Sequence, residues 1–323
     1  MTTQRASLAP CTSAIAESCA VRRKLARAQW SYSLTIAWLL PLIHPNAAAA
    51  QTGAEVSVAD SKSWDPAWRR TSSFDLALTG FAAAAAFTLE LIPAEESATW
   101  QGPILFDSAI RNALVARTSR GRNNAYVMSD LALWTSVSYV VLDATVGSML
   151  VKRDVYTGYE MLMMDAEAFA ITALLNTVTK RLTARERPDT DECQKSPDYD
   201  GHCSGREKNM SFYSGHAAGS ATSAGLICAH HQRLALYGGA WDGAACGASI
   251  VLTSLTGALR VVSDRHWATD VLVGHLVGFT TGYFVPQLFH YRAKRDEDLA
   301  VGVRGMMPMA GPTGTSITVF GVF

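Results

Sequence analysis

Six apolar runs, each long enough for about five or six helical turns, dominate this sequence and limit the folds open to it. They cover residues 74–92, 131–151, 159–179, a stretch starting at Ser214, 244–262 and 268–289. The fourth is crowded with glycine, alanine and serine, as closely packed helices require. Lengths of about 19–23 residues match the hydrocarbon core of a bilayer. We therefore predict an all-α fold, a six-helix bundle embedded in a membrane.

Charge supports this prediction only in part. The chain is 49% hydrophobic and 17% charged, and its 28 basic residues balance its 28 acidic ones, which gives no support for nucleic-acid binding. Acidic residues nevertheless lie in or beside the apolar runs, where lipid makes them costly. They are Asp75, Glu90, Asp143, Asp165 and Glu167. A soluble or peripheral bundle therefore stays open as the second interpretation.

The bundle is flanked by segments of different composition. A basic region (Arg22, Arg23, Lys24, Arg27), an apolar run and small residues up to Ala50 predict that residues 1–50 are a signal peptide or an uncleaved N-terminal anchor. Residues 51–72 form a polar linker, residues 73–291 the helical domain and residues 292–323 a short irregular tail of turns with room for one hairpin. A polar stretch at 189–212 is predicted to be a loop insertion.

One short stretch, "GALRVVSDRHWATD", carries residues suited to chemistry on an anion. Arg260 is followed after five residues by His266 and after three more by Asp270. His266 and Asp270 are four apart, so on a helix they share a face and the carboxylate can orient the imidazole. We expect Ser263 or Asp264 to cap that helix and to place His266 in its first turn. A buried structural His–Asp pair is the alternative.

Two upstream stretches add to this pattern. "KRLTARERP" places six residues between Lys180 and Arg187-Pro188, and "YSGH" places Ser214, Gly215 and His216 at the start of a helix. The three stretches together resemble the type 2 phosphatidic acid phosphatase (PAP2) superfamily, which includes bacterial acid phosphatases and vanadium haloperoxidases. The resemblance spans roughly residues 70–290. Tyr213 and Leu259 depart from it, since the superfamily has proline and serine there.

The resemblance implies a phosphatase that uses neither metal nor cofactor. His266 would attack phosphorus, Asp270 would orient it, and His216 would protonate the leaving oxygen and then activate water. The phosphate would be bound by Lys180, Arg187, Ser214, Gly215 and Arg260. The substrate would be a lipid phosphate, or a small phosphoester if the bundle is soluble. The alternatives are a vanadium-dependent haloperoxidase and a catalytically silent membrane interaction protein.

Location in the cell envelope follows from the targeting segment, with the site facing the periplasm. Basic residues at 69–70, 152–153, 233 and 292–295 favour the opposite end of the bundle as cytoplasmic. A cleaved signal peptide would instead leave residue 70 outside, so six simple spans cannot satisfy both expectations. A soluble or peripheral periplasmic bundle, or one run that does not cross, would resolve the conflict.

The remaining polar residues and cysteines are predicted to be structural. Cys193 and Cys203 share a polar loop and could form a disulfide in an oxidising compartment, whereas Cys228 and Cys246 are expected to be small core residues. His230 and His231 are expected at the surface and His275 in the core. Asp165 and Glu167 are expected to pair with buried polar groups, with no catalytic role.

Overall fold

A computed structural model of the chain describes residues 63–196, 198–199, 203, 207–292, 302–311 and 314–322. The predicted signal peptide or anchor, residues 1–50, lies outside the described residues, as does most of the predicted linker. The described helices are α1 (Ser73–Leu91), α2 (Asp107–Leu114), α3 (Ser119–Leu142, continued by a π-helix over Asp143–Val151), α4 (Val155–Thr183), α5 (Thr190–Lys195), α6 (Gly215–Leu234), α7 (Ala240–Val262) and α8 (Ala268–Val285, continued by a π-helix over Pro286–His290).

The predicted all-α fold is confirmed. Each of the six apolar runs lies in one of the long helices α1, α3, α4, α6, α7 and α8. Two short helices, α2 and α5, were not predicted, and α5 lies inside the stretch expected to be a loop. The tail is more regular than expected, because strands β1 (Gly302–Gly311) and β2 (Gly314–Val322) pair as an antiparallel hairpin.

Helices α6 and α8 run parallel and touch through their backbones. A Cβ atom added to Gly274 would lie 2.7 Å from the Ser214 carbonyl oxygen, and one added to Gly278 would lie 2.1 Å from that of Ala218. The same clash occurs at Gly282, 2.1 Å from the Thr222 carbonyl oxygen. Because these contacts recur every four residues on both helices, glycine is what lets the two backbones approach.

The outside of the bundle is apolar over most of its length. Five described helices are long and apolar enough to cross a membrane: Ser73–Leu91, Ser119–Val151, Val155–Thr183, Ala240–Val262 and Ala268–His290. Large apolar side chains on them are exposed, including Phe81 at 68% and Trp241 at 72%. A water-soluble protein seldom exposes so continuous an apolar surface, so these features support a membrane protein. Helix α6 is instead almost entirely enclosed by its neighbours.

Two histidines predicted at the surface are buried, so that prediction was wrong. His230 binds Asp165 (2.9 Å) and the Tyr291 hydroxyl (2.7 Å). His231 lies between Asp143 (3.1 Å) and Asp242 (2.7 Å). The reason is the central position of α6, because the side of its last turns that carries these two histidines packs against neighbouring helices. These partners satisfy polar groups that burial would otherwise make costly.

The other expectations for buried polar groups are confirmed. Asp165 pairs with His230, and Glu167 accepts from His290 Nε2 at 2.7 Å. His275 packs against Gly257 and contacts the Thr253 carbonyl oxygen at 3.0 Å.

The described basic residues at 69–70, 152–153, 233 and 292 share one end of the bundle as predicted, whereas Lys294 and Arg295 lie outside the described residues. Arg69 donates its backbone N–H to the His290 carbonyl, and Lys152 donates to the Ala235 carbonyl at 3.0 Å. This end is where α4 begins and α6 ends, which makes it opposite to the end that carries the three motifs.

Two disulfides link the described cysteines. The predicted bond between Cys193 and Cys203 is present. Cys228 and Cys246, expected to be small core residues, are also bonded to each other and join α6 to α7, with their Cα atoms 4.6 Å apart. Each of the two lies in an apolar run, and periodicity alone does not reveal that the helices bring them face to face.

Candidate active site

The three sequence motifs meet at one end of the bundle because each occupies a helix terminus there. Lys180 lies in the last turn of α4, Ser214 caps the start of α6, Arg260 lies in the last turn of α7 and Asp270 lies in the first turn of α8. The backbone joins two of them directly, since Ser214 N–H donates to the Asp270 carbonyl at 3.1 Å.

His266 lies before α8 rather than in its first turn, so the expected cap was wrong. The helix begins at Ala268, and the Asp270 carboxylate caps it by accepting from Trp267 N–H at 3.0 Å. Asp264 instead forms a two-point ion pair with Arg111, with both N–O distances 2.6 Å. That pairing draws the Asp264 side chain away from α8 and leaves the cap to Asp270.

The His266 imidazole is oriented by a backbone carbonyl and not by the expected carboxylate. Its Nδ1 donates to the Ser211 carbonyl oxygen at 2.9 Å, whereas Asp270 Oδ2 is 3.8 Å away, beyond hydrogen-bond distance. A proton held on Nδ1 leaves the lone pair on Nε2, which is the nitrogen then suited to act as a nucleophile.

Asp270 contacts His266 indirectly, through Ser211. Its Oδ2 accepts from the Ser211 hydroxyl at 2.5 Å, and the carbonyl of that serine holds His266. Its Oδ1 accepts from Arg185 Nη1 at 2.5 Å, and Arg185 Nη2 donates to Asp107 at 2.7 Å. Arg185 is 0% exposed, so one buried cation forms ion pairs with two buried carboxylates.

His216 has an acidic partner that the sequence motifs did not suggest. Its Nε2 lies 2.7 Å from Asp130 Oδ1, a carboxylate oxygen that can only accept. Asp130 Oδ1 is also 3.7 Å from Arg260 Nη1, and Arg260 donates to the Ser129 hydroxyl at 3.1 Å. With a proton on Nε2, the Nδ1 atom of His216 can serve as an acid when protonated and as a base when not.

Lys180 and Arg187 form the cationic side of the site, which lies beside Gly215 at the start of α6. A Cβ atom added to Gly215 would lie 3.0 Å from Asn176 Oδ1 and 3.5 Å from Lys180 Nζ, which places the ammonium beside the first turn of α6. A helix N-terminus with a nearby cation favours an anion. Arg187 is 3% exposed, and its Nη1 donates to the Arg265 carbonyl at 3.1 Å.

These cations share one electrostatic environment with His266. Burial lowers the pKa of His266 well below its ordinary value, and the positive charges of Arg187, Arg260 and Lys180 lower it further. His266 therefore stays neutral in this site at pH values where a free imidazole would be protonated. The structure thus brings together all eight residues predicted from the motifs: Lys180, Arg187, Ser214, Gly215, His216, Arg260, His266 and Asp270.

Several residues that complete the site were missed by the sequence interpretation. Asp130, Arg185 and Ser211 lie 55 or more positions from the motif residues that they contact, and Asp107 acts through Arg185. Asp130 lies just before an apolar run, but five other acidic residues lie in or beside such runs, so this signal alone did not single it out. Tyr213, which stands where the superfamily has proline, still contributes a backbone contact at the site, because its carbonyl accepts from the Asn176 side chain at 2.8 Å.

Comparison with known proteins agrees with the motifs. Residues 163–294 match the sequence model of the PAP2 superfamily, so the predicted resemblance is confirmed for that part of the chain. One solved structure that is similar is described as the first transmembrane PAP2-type phosphatidylglycerolphosphate phosphatase from Bacillus subtilis. It is 21% identical, with a TM-score of 0.44, and the match covers 66% of this chain and 94% of that chain. No curated protein sequence matches this chain.

Proposed function

We propose that this protein is a metal-independent phosphatase that hydrolyses phosphomonoesters or pyrophosphates of lipids through a phosphohistidine intermediate. One observation carries the proposal: a neutral histidine, His266, with Nδ1 held by a carbonyl, lies among the cations Lys180, Arg187 and Arg260. Phosphoryl transfer needs positive charge around the phosphate oxygens and a nucleophile in line with the leaving group. This arrangement supplies both.

The proposed reaction has two steps. His266 Nε2 attacks phosphorus, the bond to the ester oxygen breaks, and His216 Nδ1 gives that oxygen its proton. In the second step His216 Nδ1 takes a proton from water, the resulting hydroxide attacks the phosphohistidine, and inorganic phosphate leaves with His266 restored. Asp130 would hold the Nε2 proton of His216 and so leave Nδ1 for proton transfer, and the Asp270–Ser211 pair would hold His266 in line.

An apolar groove supports a lipid as the substrate. A cavity of about 670 Å³ runs between α1, α4 and α6 and ends at Lys180 and Gly215. Apolar side chains such as Phe87 and Phe169 line it, so an acyl or isoprenyl chain could lie there while its phosphate reaches the cations. We propose that the protein lies in the cell-envelope membrane with this end facing the periplasm. A periplasmic acid phosphatase acting on small esters is the second candidate.

Activity of the purified protein in detergent tests the proposal. We expect hydrolysis of p-nitrophenyl phosphate and of lipid phosphates to survive EDTA, because cationic side chains supply the charge, and to be inhibited by vanadate, which resembles the phosphorane. Loss of activity in EDTA with recovery on adding a divalent ion would contradict the mechanism. Vanadate-dependent bromination without phosphatase activity would favour the haloperoxidase alternative, and activity towards no substrate the silent membrane interaction protein.

The pH dependence of the reaction should reflect the lowered pKa of His266. Because the unprotonated form is the nucleophile and its pKa is lowered, the active form persists as the pH falls through 6.5. We expect kcat/KM for p-nitrophenyl phosphate, whose leaving group hardly needs the proton of His216, to change less than about twofold between pH 7 and pH 6 after correction for the ionisation of the substrate. A tenfold fall per pH unit starting near 6.5 would show an ordinary imidazole and contradict this prediction.

A further inference from the structure

Glu207 contacts the same guanidinium that the proposed mechanism assigns to phosphate. Its carboxylate Oε2 accepts from Arg187 Nη2 at 2.9 Å, and its backbone carbonyl accepts from Arg187 Nε at 2.8 Å. With the contact from Nη1 to the Arg265 carbonyl, three of the five N–H donors of this arginine are engaged by the protein.

The two side chains of this ion pair differ in their exposure to solvent. The Arg187 side chain is 3% exposed, whereas the Glu207 side chain is 59% exposed. The carboxylate can therefore swing into water at little cost, and the backbone contact from Arg187 Nε to the Glu207 carbonyl need not break when it does. Arg187 stays positioned whether or not the carboxylate is bound to it.

Glu207 also lies within the field of the whole cationic group. Burial alone would raise its pKa, but Arg187, Lys180, Arg265 and Arg260 outweigh that effect and lower it. A carboxylate in this position interacts with the charges that would bind a phosphate group. A phosphate oxygen and the Glu207 carboxylate cannot both accept the same Nη2 proton at full strength.

We propose that the Glu207 side chain is an internal competitor for the phosphate-binding arginine, which keeps the affinity for free phosphate low and so favours release of the product. This inference rests on the proposed phosphatase function and concerns the regulation of that same site. A site that is open for only a fraction of the time binds every phosphate ligand more weakly by that fraction.

The Glu207→Gln variant tests this inference, because it removes the charge and keeps the shape and the backbone contact. We expect the inhibition constants of inorganic phosphate and of vanadate, measured against p-nitrophenyl phosphate, to fall about two- to fivefold, the range of a solvent-exposed ion pair. The matched control is Glu96→Gln, an exposed carboxylate that lines a cavity together with Glu207 and has no contact with a cation among the described residues. It should leave both constants unchanged.

Two other results would distinguish a failure of the Glu207 inference from a failure of the proposed phosphatase function. If Glu207→Gln leaves both inhibition constants unchanged or raises them while the wild-type protein is active, Glu207 serves only to position Arg187 and the inference is overturned. If the wild-type protein neither hydrolyses phosphoesters nor binds vanadate, the proposed function itself fails, and the inference fails with it.

Discussion

Replacing His266 with alanine is expected to abolish turnover of every substrate, lowering kcat to the limit of detection. The reason is that the proposed mechanism assigns the other imidazole of the site, His216, to proton transfer, so without His266 Nε2 the phosphoenzyme cannot form. Single-turnover experiments with p-nitrophenyl phosphate should show no release of p-nitrophenolate. Because the imidazole is buried, thermal unfolding of the variant in detergent must be measured to show that it still folds.

The His216→Ala variant should behave differently, because its loss of activity is expected to depend on the leaving group. An alkoxide leaving group needs a proton, whereas p-nitrophenolate hardly does, so phosphorylation should slow by about 10²–10⁴ for an alkyl phosphate and far less for p-nitrophenyl phosphate. With the activated ester, phosphohistidine should accumulate, since the same residue activates water. Residual turnover in His266→Ala equal to that in His216→Ala, with no trapped phosphoenzyme in either, would contradict the assigned roles.

The Arg185→Leu variant should have the second largest effect, on both stability and activity. Removing this cation leaves Asp107 and Asp270 buried without their partner, and breaking such a pair costs about 3–5 kcal/mol of the free energy of unfolding. Through Asp270 and Ser211 the change reaches His266, so kcat should also fall by about 100-fold. Unfolding in detergent followed by circular dichroism, together with kcat, measures both.

The control for this variant is Arg120→Leu, which removes an exposed arginine from the first turn of α3. It should change neither stability nor kcat. Arg185→Lys keeps the charge but cannot reproduce the fork that joins two carboxylates, so we expect an intermediate loss. An Arg185→Leu protein with wild-type stability would show that the buried carboxylates are neutral, and the ion-pair interpretation would be wrong.

Sequence alone was enough to predict the six long helices and to place the motif residues at their ends, for physical reasons. The six apolar runs encode their own local structure, and the motifs lie where those runs end, so the pattern of apolar residues already places Lys180, Ser214 and Asp270 at or near helix termini. Their convergence at one end followed from the alternating direction of successive helices. None of this required knowledge of which helices are neighbours.

What depended on neighbouring helices could not be predicted. His230 was expected at the surface because its local sequence resembles a turn, but its partner Asp165 lies on another helix 65 residues away. The disulfide between Cys228 and Cys246 and the pairing of His216 with Asp130 are contacts of the same kind. The predicted partner of His266 was wrong for a further reason. A backbone carbonyl orients the imidazole in place of the expected carboxylate, and every residue has a carbonyl, so the sequence does not reveal which one is used.

The glycine contacts between α6 and α8 have a consequence for how the site can evolve. Because the backbones touch at every fourth residue, the height of Ser214 relative to Asp270 cannot shift gradually, and the next register that places glycine against the facing backbone lies four residues, about 6 Å, away. The distance between these two residues therefore cannot be adjusted in small steps. We expect sequence changes that adapt the site to a different phosphate ester to occur in the segment that connects α4 to α6. Substitutions that alter substrate range are therefore expected in residues 184–212 and not along the α6–α8 seam.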